Sequence, residues 1–176
     1  MPDKTTDRAK AIANRDLGHA LQKAYRLLSL RAHSTGEVAK KLREKGVPPL
    51  VIKEALEKLQ DLKYLNDAYF ASQWARHLAV NKLWGNKKIS ASLRTKDVPT
   101  DLIGAAIETA RSEMTEEEAV DLLLKKKTAG GKDGRFDIKE KRTIFQSLLA
   151  RGFPAGLILK KIGKIPEEDI HGENGQ

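Results

Sequence analysis

Residues 38–56 read VAKKLREKGVPPLVIKEAL, and two later stretches repeat their pattern without a gap. The second stretch reads ISASLRTKDVPTDLIGAAI at residues 89–107, and the third reads IFQSLLARGFPAGLILKKI at residues 144–162. The three copies share eight positions, which are in order apolar (Val38, Ile89, Ile144), leucine (Leu42, Leu93, Leu148), basic (Lys45, Lys96, Arg151), turn-forming (Gly46, Asp97, Gly152), apolar (Val47, Val98, Phe153), proline (Pro48, Pro99, Pro154) and twice apolar (Ile52, Ile103, Ile158; Leu56, Ile107, Ile162). Agreement at so many positions indicates an internal structural repeat, and this repeat decides the fold.

Each copy predicts a helix, a tight turn and a second helix. Val38 and Leu42 are four residues apart, so they lie on one face of a helix. Gly46 ends that helix, because glycine adopts the left-handed backbone conformation at low cost. Asp97 takes this place in the second copy, and the left-handed conformation costs more free energy for aspartate than for glycine. Pro48 then opens the second helix, where its missing N–H costs nothing.

A further helix precedes each pair, because apolar residues recur at helical spacing over residues 17–32, 67–83 and 115–127. Ser34 with Glu37 predicts a capping box at the start of the helix that follows the first of these. We therefore expect an all-α fold of three tandem three-helix repeats. A unit of this size cannot bury its apolar face alone, so neighbouring repeats are expected to stack into an elongated, curved helical array.

The repeats and the polar ends divide the chain into five segments. The ends lack an apolar stripe and are expected to be flexible. The predicted segments are a flexible N-terminal tail (1–16), repeat 1 (17–65), repeat 2 (66–113), repeat 3 (114–165) and a flexible C-terminal tail (166–176). Within the body, the loop at residues 129–136, AGGKDGRF, is expected to be the most mobile segment.

The composition excludes several classes of site. The 176 residues include no cysteine, which excludes disulfides, thiolate nucleophiles and zinc–thiolate sites and fits a reducing cytoplasm. The four histidines do not have metal-ligand spacing. No stretch reaches the roughly 20 apolar residues of a membrane helix, and the N-terminus lacks the apolar core of a signal peptide. We therefore expect a cytoplasmic protein that is not an enzyme, with no catalytic residue, no cofactor, no metal and no membrane contact.

The net charge of the chain indicates which class of partner it binds. The net charge of +9 and the isoelectric point near 9.7 favour polyanionic or acidic partners. Lysine and arginine side chains contact phosphates and carboxylates well. The candidate contact residues are Arg76, Lys82, Lys87, Lys88, Arg94, Lys125, Lys126 and Lys127. The alternative is a solvated helix exterior, in which lysines near helix C-termini complement the helix dipole.

The order of the motifs resembles that of the RecX family over residues 18–162. The matching residues are Leu27-Leu28-Ser29-Leu30-Arg31-Ala32-His33-Ser34, Glu37, Lys41-Leu42, Gly46, Tyr64-Leu65-Asn66-Asp67, Phe70-Ala71, Trp84-Gly85, Lys87-Lys88-Ile89, Leu93, Lys96-Asp97, Lys141-Arg142 and Arg151-Gly152-Phe153. The chain departs from the family pattern at Asp97, where glycine is usual, and at Asn86, where proline is common. Both departures affect the geometry of a turn.

The resemblance implies a regulator of the RecA recombinase that acts in homologous recombination and the SOS response. RecX-like proteins bind the RecA nucleoprotein filament, lie along its groove and limit its extension, strand exchange and co-protease activity. The resemblance implies no cofactor and no catalytic activity. For this chain, the implied partners are the RecA filament and single- or double-stranded DNA without sequence specificity, and we expect a monomer.

Two other functions stay open at this point. The helix–turn–helix of each repeat superficially fits the motif of a stand-alone DNA-binding protein. The spacing supports a turn, but the sequence shows no set of side chains suited to base edges. The second alternative is a helical scaffold for a protein other than RecA.

Overall fold

The computed structural model describes residues 4–128 and 136–163, and this part of the chain is helical without any β-strand. The α-helices are α1 (Lys4–Leu30), α2 (Thr35–Glu44), α3 (Pro49–Asp61), α4 (Asp67–Arg76), α5 (Asn86–Arg94), α6 (Thr100–Glu113), α7 (Glu116–Thr128), α8 (Ile138–Ala150) and α9 (Ala155–Ile162). They form three sets of three, α1–α3, α4–α6 and α7–α9, as the sequence repeat predicts. The all-α fold of three-helix repeats is therefore confirmed.

The three predicted turns lie between α2 and α3, α5 and α6, and α8 and α9. Their central residues have the left-handed backbone conformation, with φ of +74° at Gly46, +52° at Asp97 and +89° at Gly152. Asp97 shows that a side chain is accepted at this position in the second repeat. Pro48 and Pro154 have extended backbones and precede the first residue of the following helix. In repeats 1 and 3 the second helix packs back against the first.

The leading helices differ from their predicted extents at two places. Helix α1 begins at Lys4, so the predicted N-terminal tail is helical from that residue on. The reason is local, since no proline or glycine interrupts this stretch and alanine, lysine and arginine favour a helix. Helix α4 ends at Arg76 and continues as a π-helical segment, His77–Asn81. The predicted C-terminal tail and residues 129–135 of the predicted mobile loop lie outside the described residues.

Contacts between the helices group the described residues into two compact units. Unit 1 holds the residues up to Ala71 together with Leu93–Ile103, and unit 2 holds Ser72–Ser92 together with the residues from Gly104 on. The buried core of unit 1 comprises Leu17, Ala20, Ala24, Val38, Leu42, Val47, Ile52, Ala55, Leu59 and Leu65. That of unit 2 comprises Leu83, Ala119, Val120, Ile144, Phe145, Leu148, Phe153, Ile158 and Ile162. The apolar positions shared by the repeats therefore supply much of both cores.

The units do not coincide with the sequence repeats, because the turn of one repeat packs on the start of a helix in the repeat before it. We call each such contact a joint. In the first joint, within unit 1, the hydroxyl of Ser34 at the start of α2 donates a hydrogen bond to the carbonyl of Lys96. A Cβ added at Gly36 would overlap Asp97, so the backbones approach closely. The turn of repeat 2 is thereby fixed on the first helix pair.

An ionic cluster completes the first joint. The carboxylate of Glu37 accepts hydrogen bonds at 2.9 and 3.1 Å from Arg31 and at 3.2 Å from Lys96. The side chains of Glu37 and Lys96 are only 13% and 14% exposed. Burial raises the pKa of Glu37, but the hydrogen bonds from Arg31 and Lys96 outweigh it and lower the pKa to about 2. The capping box of Ser34 and Glu37, predicted from the sequence, is also present.

The second joint lies within unit 2 and uses the same repeat positions. The backbone N–H of Gly85, at the start of α5, donates a 2.8 Å hydrogen bond to the carbonyl of Arg151. Arg151 also donates through Nη1 to the carbonyl of Lys82, at 3.1 Å. A Cβ added at Gly85 would overlap the carbonyl group of Gly152. In both joints, therefore, the carbonyl of the repeated basic residue receives a hydrogen bond from a helix start.

Gly85→Ala is expected to destabilise the protein by about 1–3 kcal/mol, because the added methyl overlaps backbone atoms that cannot rotate away. Urea unfolding followed by circular dichroism measures this change. Gly104→Ala is the matched control, since Gly104 lies in α6 with no atom within 4 Å of an added Cβ. The control should gain roughly 0.5–1 kcal/mol from its higher helix propensity. Equal effects for the two variants would contradict the close approach in the second joint.

The Glu37 cluster predicts a pH-dependent contribution to stability. Because the pKa is lowered from 4.5 to about 2 in the folded protein, the charged carboxylate stabilises the fold above its ordinary pKa. That stabilisation is lost as the pH falls through about 2. Glu37→Gln should therefore lower the melting temperature at neutral pH, and the difference from the original protein should vanish near pH 2. Glu54→Gln on α3, an exposed site, should leave the melting temperature unchanged at both pH values.

Candidate polyanion-binding surface

Lys82 and Lys87 present exposed side chains in unit 2. Lys87 lies in the first turn of α5, and neither its side chain nor that of Lys82 has a hydrogen bond or ion pair with the described residues. Lys82 caps the π-helical segment, and its carbonyl accepts the bond from Arg151. The joint therefore fixes the backbone of Lys82 while its ammonium group stays in solvent. Among the predicted contact residues, these two combine a fixed backbone with an available charge.

Lys88 is engaged within the protein. Its Nζ donates a 3.1 Å hydrogen bond to the carbonyl of Ala150, at the end of α8. The same ammonium lies 4.5 Å from the centre of the Trp84 ring, within the range of a cation–π interaction. Lys88 therefore ties α5 to the end of α8, a role that the sequence did not indicate. Its prediction as a contact residue stays untested, but a substitution there would also disturb the second joint.

Arg76 is also paired. Its Nε and Nη2 each donate a 2.6 Å hydrogen bond to the carboxylate of Glu113 at the end of α6. The hydrogen bonds to Glu113 raise the pKa of Arg76. The two side chains are about half exposed, at 52% and 42%. Arg76 reaches the surface, but a neighbouring carboxylate offsets its charge.

The remaining predicted residues lie at helix ends. Arg94 is exposed in the last turn of α5 and belongs to unit 1. Lys125, Lys126 and Lys127 are exposed in the last turn of α7, in unit 2. Lys127 lines a shallow groove together with Phe136, Lys139, Glu140, Thr143 and Ile144. Unit 2 thus carries two groups of exposed lysines, one at the π-helical segment and α5, and one at the end of α7.

Arg111 holds the start of α5 in place, and the sequence did not single it out. It is half-buried and donates hydrogen bonds to the side chain of Asn86 (2.7 Å) and the carbonyl of Trp84 (2.6 Å). Burial lowers the pKa of Arg111. Glu116 accepts a 2.8 Å hydrogen bond from the backbone N–H of Asn86 and so caps α5. Asn86, noted above as a departure from the family pattern, is therefore a structural residue that orients the helix carrying Lys87.

The described residues contain no group of side chains with the composition of a metal site. No group of three or more histidine, aspartate or glutamate side chains among them could hold a metal ion. In this same part of the chain, every buried side-chain nitrogen and oxygen has a hydrogen-bond partner. None of the described helices is both long enough and apolar enough to cross a membrane. The chemistry that this surface offers is charge and hydrogen bonding.

The comparisons with known proteins agree on one family. The model of the first three-helix domain of RecX matches residues 20–59, and that of the second three-helix domain matches residues 66–107. The regulatory protein RecX of Xanthomonas campestris is 32% identical over 138 residues, which cover 78% of this chain and 82% of the relative. A regulatory protein RecX from Mycobacterium sp. is 30% identical over 76% of this chain and 74% of its own. The crystal structure of RecX from Lactobacillus salivarius aligns with a TM-score of 0.73 and 25% identity, over 85% of this chain and 96% of the other.

Arg111→Met is expected to destabilise the protein by about 1–3 kcal/mol, since it leaves the carbonyls of Trp84 and Met114 without a partner. Arg76→Met, which removes an exposed ion pair instead, should change stability little. Thermal and urea unfolding of both variants measure the contrast. Similar losses for the two variants would mean that Arg111 does not support the start of α5.

Proposed function

Since the chain belongs to the RecX family, we propose that it binds the RecA nucleoprotein filament and limits its extension, strand exchange and co-protease activity. In this proposal it is a cytoplasmic monomer that acts in recombination and SOS regulation by binding alone, without catalysis. The observation that supports a filament partner most directly is the exposed charge of Lys82 and Lys87 in unit 2, beside the second joint. A polymer of protein and DNA offers phosphates and carboxylates to such side chains.

The proposed contact with DNA is non-specific. Lysine ammonium groups neutralise phosphates and release counterions, so affinity falls with salt in proportion to the number of phosphates contacted. Phosphate contacts position a protein on DNA but do not read its sequence. Lys82, Lys87 and the three lysines at the end of α7 would contribute to this attraction.

The alternative of a stand-alone helix–turn–helix protein is less well supported. A reading helix must present hydrogen-bonding side chains to base edges in the major groove. The exposed residues of α6, the second helix of the middle pair, are Thr100, Asp101, Gly104, Ala105, Glu108, Thr109, Ser112 and Glu113. This face carries three acidic residues and no basic one, so DNA phosphates would repel it. In α9, Lys160 and Lys161 are paired with Glu117 and Asp121.

Lys87→Glu is expected to raise the protein concentration needed for half-inhibition of the DNA-dependent ATPase of RecA by about three- to tenfold. The original protein should inhibit at substoichiometric amounts, because it acts on the growth of a polymer. Lys58→Glu on α3 is the control, since Lys58 is also exposed and the substitution changes the net charge equally. Circular dichroism should show the same helical content for all three proteins.

Three results would count against the proposal. An ATPase that is unaffected by the original protein would remove RecA as the partner. Equal inhibition by the Lys87 and Lys58 variants would exclude the proposed surface. Tight, sequence-selective binding to duplex DNA in a mobility-shift assay without RecA would favour the stand-alone DNA-binding protein.

A further inference from the structure

The turn of repeat 1, residues 43–47, has the same backbone conformation as the two turns that form joints. It does not form a joint with any of the described residues. Gly46 has the same left-handed backbone as Asp97 and Gly152. Arg43, Glu44, Lys45 and Gly46 are all exposed, whereas Lys96 and Arg151, which occupy the repeat position of Lys45, are half-buried. We call residues 43–47 the free turn.

The two joints show what a turn of this shape binds. Each receives the start of a helix, and the carbonyl of its basic residue accepts one hydrogen bond there. The helix start carries a small residue at the same repeat position, Ser34 in the first joint and Gly85 in the second. In the first joint the ammonium of Lys96 also pairs with Glu37, in the first turn of the bound helix. The carbonyl and ammonium of Lys45 have no such partner among the described residues.

Electrostatics favours the same kind of partner for the free turn. The free turn includes the last two residues of α2, where the helix dipole is negative, and the start of a bound helix is positive. Lys45 and Arg43, both exposed at this end, would attract a carboxylate in the first turn of that helix. A helix start with a small residue and an acidic residue satisfies both requirements.

A second copy of this chain does not fit well as the occupant. The position of Ser34 and Gly85 is held by Glu140 in repeat 3, which lies one turn inside α8 because that helix begins earlier, at Ile138. The backbone N–H of Glu140 donates to the side chain of Asp137 in a capping box and is therefore engaged. The large, charged side chain of Glu140 opposes docking at this position, so the occupant is expected to come from another protein.

We propose that the free turn docks on an exposed helix start in the protein component of the filament, one that has a small residue at its first position and a carboxylate in its first turn. In this contact the carbonyl of Lys45 accepts a hydrogen bond from the partner helix, and its ammonium pairs with the carboxylate. The proposal rests on the proposed function and adds to it a contact with protein, separate from the contacts with DNA.

The test compares Lys45→Glu, Lys45→Arg and the control Lys58→Glu. Binding of each fluorescently labelled protein is measured by anisotropy, first to RecA filaments on a single-stranded oligonucleotide and then to the oligonucleotide alone. Lys45→Glu should weaken filament binding about five- to tenfold relative to Lys58→Glu, and both should bind the bare oligonucleotide alike. Lys45→Arg should retain binding, because arginine fills this repeat position at Arg151. Thermal melting checks that each variant is folded, as expected for an exposed site.

Each of the three other outcomes would exclude either docking by the free turn, its contact with protein, or the proposed function. Equal filament binding by the Lys45→Glu and Lys58→Glu variants would exclude docking by the free turn, while leaving the proposed function intact. An equal loss for Lys45→Glu on the bare oligonucleotide would make the free turn a nucleic-acid contact instead. Failure of the original protein to bind the filament at all would remove the proposed function and this contact with it.

Discussion

The hydrogen bond that the carbonyl of a repeated basic residue accepts at each joint is the contact that holds one repeat against the next. The carbonyl is available because the residue after it has a left-handed backbone, at Asp97 and Gly152, which ends the preceding helix there. The bond brings the turn of one repeat onto the start of a helix in the repeat before it. Repeats that could not bury their apolar faces alone thereby gain a neighbour.

Both joints have a glycine at the close approach, Gly36 in the first and Gly85 in the second, but their other contacts differ. In the first, a nearly buried carboxylate is held by Arg31 and Lys96, and its low pKa records how strongly the charged form is stabilised. In the second, two glycines, Gly85 and Gly152, allow backbones to meet with no room for a side chain. The second arrangement also fixes the start of α5, to which Arg111 donates further hydrogen bonds. Lys87 thus extends from a helix whose start is held by hydrogen bonds.

The basic residues illustrate how one residue type takes different roles according to its position. Lys45, Lys96 and Arg151 occupy the same place in the repeat, yet Lys96 is in an ion pair, Arg151 donates to a carbonyl and Lys45 is exposed. The net charge of the chain therefore overstates the charge available to a partner. Arg76 and Lys88 are likewise engaged, and the surface that remains is smaller than composition suggests.

The helix pairs, the left-handed turns, the capping box of Ser34 and Glu37 and the family could be read from the sequence, because these depend on residues only a few positions apart. The tertiary structure alone decided which basic residues are engaged. The partner of Arg76 lies 37 residues away, that of Lys96 lies 59 away and that of Lys88 lies 62 away. A local sequence pattern cannot predict contacts between residues so far apart in the chain. The apolar spacing that predicts a helix does not specify which helix end contacts which turn. The structural roles of Asn86, Arg111 and Glu116 could not be predicted for the same reason, since their contacts span 25 to 30 positions.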